Sequence, residues 1–165
     1  MNHKISLHKK LFSANEKEVI YTLKNISKKK YFELVTNLID LFAKSTSKNI
    51  KNEVFNILIN LKDNNSVKYF MEGLIKQTDA NVRLQLISAC WQNGLNYSPY
   101  INYFIEIICN ESITHAIEAY SVIEMNYMKL DEKQLSIFKE NVKKLKNQSS
   151  GENLKLLIEV ESLVC

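Results

Sequence analysis

Apolar residues recur along this chain at three- and four-residue steps, in stretches long enough for several helical turns and separated by short polar turns. The first stretch follows Ser13-Ala14-Asn15-Glu16, where serine and glutamate stand at capping-box spacing, and it predicts a helix to about Ile26. Beyond the basic turn Lys28-Lys29-Lys30, residues Tyr31, Leu34, Val35, Leu38, Leu41 and Phe42 define a second helix ending near Lys44. Ser47 caps a third, which carries Ile50, Val54, Ile57, Leu58 and Leu61. The polar turn at 63–66 leads into a fourth, with Val67, Phe70, Met71, Leu74 and Ile75. A fifth opens at Thr78 or Asp79, turns Val82, Leu86, Ala89 and Cys90 inward, and closes at Gly94, which tolerates the left-handed conformation. Ser98-Pro99 gives the sixth a cap and a proline at its first helical position. A seventh is expected from Ser112 to about Tyr127, an eighth from Asp131 to Asn147, and a ninth after the break at 149–152. Residues 1–12 read as a loosely ordered arm.

Connections of only a few residues make consecutive helices pack antiparallel. Laying Ile50-Lys51 over Val82-Arg83 aligns Val54 with Leu86, Ile57 with Ala89 and Leu58 with Cys90, a spacing of thirty-two. A register one residue shorter places Ile113 under Val82 and Ile117 under Leu86. Self-similarity at this period marks stacked helix pairs, because one pair cannot bury its apolar face alone. The segment Asp79-Ala80-Asn81-Val82-Arg83, running on through Ala89, resembles a HEAT or HEAT-like repeat, in which aspartate precedes Val-Arg and then small and apolar positions. Leu86 and Ile87 depart from that pattern, and other units carry Ser47 and Lys51, or Asn110 and Thr114, instead of the aspartate and arginine. The resemblance implies an all-α, right-handed α-α superhelix: a short HEAT-like or armadillo-like solenoid of about four antiparallel pairs plus a C-terminal helix. It also implies that Asp79 and Arg83 serve a structural role between repeats.

The length of 165 residues suits one helical-repeat domain over 1–165. Three glycines and one proline leave little punctuation for hairpins or sandwich turns. The net charge of +4 is a weak pointer to nucleic acid, since the carboxylates are interleaved with the lysines along most of the chain. Cys90, Cys109 and Cys165 are odd in number and in no CxxC spacing, so they read as reduced thiols. The first residues hold no apolar leader core and no later segment resembles a membrane span, so a soluble cytoplasmic protein is expected.

Arg83 is the only arginine among twenty-two basic residues. Its planar fork of donors suits a bridge to carboxylate or carbonyl groups of a neighbouring helix pair, with a phosphate grip as the competing use. Glu111, His115 and Glu118 share one helical face at metal-ligand spacing, but no facing helix offers a second histidine. A solvated charged face is expected there, no metal or other cofactor is implied, and truncating Glu118 should cost little. No nucleophile motif accompanies His115, so the chain reads as noncatalytic. Trp91 is assigned inward, while Tyr97, Tyr100 and Tyr103 around Pro99 are expected to leave edges exposed.

If the second helix of each pair carries the concave surface, as in the solenoids this chain resembles, its outward residues begin with Glu33, Asn37 and Asp40. They continue as Lys68, Glu72 and Lys76, then Asn102 and Glu106, then Lys133, Glu140 and Lys144. Signs alternate, so the binding candidates Lys68, Glu72, Lys76, Asn102, Glu106 and Glu140 suit a protein or peptide partner better than a phosphate track. The expected function is a scaffold or adaptor presenting an extended surface to that partner. The alternative is a nucleic-acid-binding protein resembling the HEAT-like DNA glycosylases, with the lysines at 28–30 and at 143, 144 and 146 serving the two ends.

Overall fold

The scarcity of glycine and proline is matched by an all-α fold, given by a computed structural model that describes residues 2–27 and 32–164, with side chains over 7–26 and 32–164. Among the described residues there are ten α-helices and no strand. In chain order they are α1 (Asn2–Leu11), α2 (Glu16–Ser27), α3 (Val35–Lys44), α4 (Lys48–Ile59) and α5 (Ser66–Lys76). They continue as α6 (Ala80–Asn93), α7 (Ile101–Asn110), α8 (Ile113–Glu124), α9 (Glu132–Lys146) and α10 (Gly151–Leu163). The turn Lys28-Lys29-Lys30, the core position assigned to Tyr31, and Cys165 lie outside the described residues.

The chain gathers into two compact units, Met1–Val82 and Arg83–Cys165, with α6 beginning in the first and continuing in the second. In the first unit α1 packs on α2, α2 on α4, and α3 on both α4 and α5. Contacts between alternate helices, α2 with α4 and α3 with α5, are what stacked hairpins give, each helix lying beside its counterpart in the next pair. Gly73 lets α5 approach α3 closely: a Cβ there would lie 2.6 Å from Ile39 Cδ1 and 3.2 Å from Ile39 Cβ. Thr36 Oγ1 donates to the Tyr69 carbonyl at 3.0 Å across the same pair.

The second unit repeats the arrangement, with α7 on α8 and α9, and α8 and α9 on α10. Gly94 closes α6 at φ +68°, the left-handed turn expected of it. The loop beyond it is held by a polar network that the sequence pattern does not announce. Asn126, 1% exposed, donates Nδ2 to the Val122 carbonyl at 2.8 Å and accepts the Tyr97 backbone N–H at 2.9 Å. Tyr97 is fully buried, contrary to the exposed edge expected of it, and its hydroxyl accepts from Asn93 Nδ2 at 3.1 Å. Burial pushes the Tyr97 phenol and the neighbouring Cys90 thiol well above their ordinary values.

Burial exposes the repeat more sharply than hydrophobicity does. In the first helices of the pairs, Val19, Leu23 and Ile26 correspond to Ile50, Val54 and Ile57, and these to Val82, Leu86 and Ala89, all buried. The third step is thirty-three residues, onto His115, Ala119 and Val122, all buried as well. The thirty-one-residue register is therefore corrected: Ile117, assigned to the position of Leu86, is 50% exposed. A histidine in the core position had hidden the true phase. In the second helices Leu38, Phe70, Phe104 and Phe138 are equivalent and at most 1% exposed.

Three boundaries differ from expectation. Asn15, not Ser13, caps α2: its Oδ1 accepts from Lys17 N at 3.0 Å, while Ser13 Oγ donates to Glu18 at 2.6 Å. Residues 2–11, assigned to a loose arm, form α1, whose Leu11 is fully buried. The seventh predicted helix ends at Glu124, because Asn126 folds its amide back onto the last turn and a single 3-10 turn, Tyr127–Lys129, follows.

Candidate interaction surfaces

The Val-Arg step opens α6 with Asp79 as its cap, Oδ1 accepting from Val82 N at 2.9 Å. One residue further, Arg83 directs its guanidinium at the end of α7. Its Nε donates to Glu111 Oε2 at 3.3 Å, its Nη2 to Glu111 Oε1, and its Nη1 to the Tyr103 hydroxyl at 3.1 Å. Burial opposes the charge of Arg83, but the hydrogen bonds and charge of Glu111 and Tyr103 outweigh it and raise its pKa. This is the two-armed grip of which an ammonium is incapable.

The face formed by Glu111, His115 and Glu118 is not solvated as expected. Glu111 holds Arg83, His115 is buried with Nδ1 2.7 Å from Ser112 Oγ, and Glu118 Oε2 accepts from Trp91 Nε1 at 2.5 Å. The three residues therefore serve the packing of α8, and Glu118 is a partner of the half-buried indole rather than a dispensable surface charge. Among the described residues no group of three or more His, Cys, Asp or Glu side chains is arranged to hold a metal ion. Among them, too, no helix is long and apolar enough to cross a membrane.

The candidate binding residues Lys68, Glu72, Lys76, Asn102, Glu106 and Glu140 are all exposed, as are Lys133 and Lys144. Glu33, Asn37 and Asp40 on the earlier helix are half-buried. The register that aligns Leu38, Phe70, Phe104 and Phe138 also makes Asp40, Glu72, Glu106 and Glu140 equivalent, a carboxylate at one position of four successive second helices. One turn further the equivalent residues are Lys44, Lys76, Asn110 and Lys144. Within the units the helices concerned are in contact, α3 with α5 and α7 with α9, and Asn141 Nδ2 donates to Asn102 Oδ1 at 3.0 Å across the latter pair.

Two concave features of the first unit escaped the periodicity argument, which ranks residues by their burial and passes over gaps between helices. An open groove of about 770 Å³ runs between α2 and α4, walled by Lys17, Ile20, Tyr21, Asn52 and Glu53, with Tyr21 70% exposed. A smaller pocket of about 350 Å³ lies where α1 and α3 end and α2 and α4 begin. Glu16 borders both.

No family model matches the chain, and no curated protein does. Among solved structures it is similar to a designed armadillo repeat protein, YIII(Dq)4CqI, at 10% identity and a TM-score of 0.37, over 97% of this chain and 99% of that one.

Proposed function

We propose that this chain is a noncatalytic scaffold or adaptor, a HEAT-like or armadillo-like right-handed superhelix that holds a protein or peptide segment against the second helices of its pairs. The observation that carries this reading is the recurrence of Asp40, Glu72, Glu106 and Glu140 at one repeat position, each followed one turn later by Lys44, Lys76, Asn110 or Lys144. A core needs its apolar comb to recur; it places no such demand on the exposed carboxylates of Glu72, Glu106 and Glu140 or on the half-buried Asp40. Pairs at this spacing steady a helix only modestly, whereas the same alternation of charge and amide on α3 and α5 in one unit, and on α7 and α9 in the other, offers a peptide matched partners within each unit. In this reading Arg83 and Asp79 are structural residues: Arg83 ties α6 to α7 of the same pair through Tyr103 and Glu111, and Asp79 caps α6. The free thiols of Cys90 and Cys109 fit the cytoplasm.

The test is quantitative affinity capture from the native cell with the wild type and with Glu72→Lys, Glu106→Lys and Glu140→Lys combined. The expected outcome is a discrete protein enriched by the wild type and lost by the variant, with unchanged helical circular dichroism. Equal capture by both proteins would refute the second-helix face. Tight, steeply salt-dependent binding of a labelled DNA duplex in place of a captured protein would transfer the function to nucleic acid.

A further inference from the structure

We infer that the end of the first unit where α1 and α3 finish and α2 and α4 start is a docking surface for an acidic protein segment carrying an apolar side chain. This surface lies at one end of the first helix pairs, shares Lys44 of α3 with the second-helix row, and rests only on the broader reading that the chain binds protein. The charge of the chain is unevenly divided: residues 1–82 hold fourteen lysines against eight carboxylates, residues 83–165 eight cations against ten. Much of the excess gathers at this end. Lys9 and Lys10 stand on the last turn of α1, Lys44 on the last turn of α3, Lys17 and Lys48 on the first turns of α2 and α4, and all five are exposed.

Helix stability accounts for only some of them. A cation on a last turn suits the negative end of the helix dipole, but Lys17 and Lys48 occupy first turns, where that dipole opposes positive charge. Their placement adds to the positive ends of α2 and α4 and makes the surface attract anions. The two carboxylates in the first turn of α2 accept from neutral groups, Glu16 from Asn49 Nδ2 at 3.0 Å and Glu18 from Ser13 Oγ at 2.6 Å; they keep their charge and are outnumbered by the five lysines.

The pocket at this end, which Lys44 lines, is what selects a peptide over a bare polyanion. Leu11, Val19, Leu41 and Ile50 form its buried base, and Phe12, Lys44 and the Glu16 carboxylate stand around it together with serine and threonine hydroxyls. Phe12 is 39% exposed and packs against the His8 ring at 4.9 Å between centroids, so one aromatic side chain of this site is open to solvent. A leucine side chain enters such a site with room to spare, and flanking aspartates or glutamates meet the lysines at this end. A phosphate backbone would use the charges and leave the pocket idle.

The experiment is fluorescence anisotropy of the full chain with a labelled Glu-Asp-Glu-Leu-Glu-Asp-Glu peptide across a salt series. The comparison probes are the same peptide with glycine for leucine and an oligothymidylate. The leucine peptide is expected to bind, to weaken as salt rises, and to bind about fivefold more tightly than the glycine peptide. Lys17→Glu combined with Lys48→Glu is expected to lose about fivefold or more, and its fold is safeguarded because glutamate suits a helix first turn. Phe12→Ala gives a second reading that leaves every charge in place, with a similar loss expected. No binding, equal binding of the glycine peptide, indifference to both variants, or tighter binding of oligothymidylate would each overturn the proposal. Glu106→Lys combined with Glu140→Lys is expected to leave peptide affinity unchanged. If those two changes abolished it, this surface would fail while the second-helix face survived; if capture ignored that face and peptide binding here persisted, the reverse would hold.

Discussion

Arg83 shows how much a single residue can disclose and where disclosure stops. Its uniqueness among lysines marked it as a bridge, and the structure gives it Glu111 and Tyr103 as partners. Spacing alone puts Glu111 on a metal-like or solvated face, because the pattern along one helix cannot reveal what a neighbouring helix brings to it. Both side chains of the pair are largely covered, at 14% and 23% exposure. Arg83→Lys keeps the charge but loses the fork, and should cost about 1–2 kcal/mol, lowering Tm by roughly 3–6 °C in thermal denaturation. An unchanged Tm would show that the guanidinium geometry is immaterial. Asn126 and Tyr97 were illegible for a related reason: their worth lies in backbone groups of a distant loop, and an asparagine near a helix end looks like any other turn former.

At the level of helices the reading was good, since a three-and-four-residue apolar rhythm is a direct imprint of burial on one side. Nine predicted helices correspond to α2 through α10, and the errors fall at ends and phases. Asn15 displaced Ser13 as a cap because both types accept backbone donors and only local geometry chooses between them. The phase of α8 was missed because His115 and Ala119 fill positions where isoleucine or leucine was sought. The packing of α5 on α3 yields a sharper prediction. Alanine is a better helix former than glycine by about 1 kcal/mol, yet at Gly73 its methyl would enter the space of Ile39, which is fully buried. Overpacking of about 1–3 kcal/mol should win, so Gly73→Ala is expected to lower stability in urea titration. Ile39→Val, which removes Cδ1, should recover part of the loss in the double variant. Additive losses would show that the two residues do not meet.

For the molecule as a whole, the buried thiol of Cys90 couples folding to alkaline pH. Its folded-state pKa is raised by burial, so the stability it contributes is complete below the ordinary thiol value of 9.0. Above that value the unfolded chain loses this proton and the folded chain does not, so stability declines as pH climbs toward the higher folded-state value. The expected contribution is about 1.4 kcal/mol per pH unit, measured as the difference in slope between wild type and Cys90→Ala over pH 9 to 10.5. Parallel slopes would place the thiol in contact with water. Tyr97 adds in the same sense above its ordinary value of 10.0. The molecule also carries its own optical probe. Its one tryptophan presses its indole N–H onto the Glu118 carboxylate, where α6 meets α8 in the second unit. Intrinsic tryptophan emission therefore tracks the integrity of that seam, and with it the second unit, without any label.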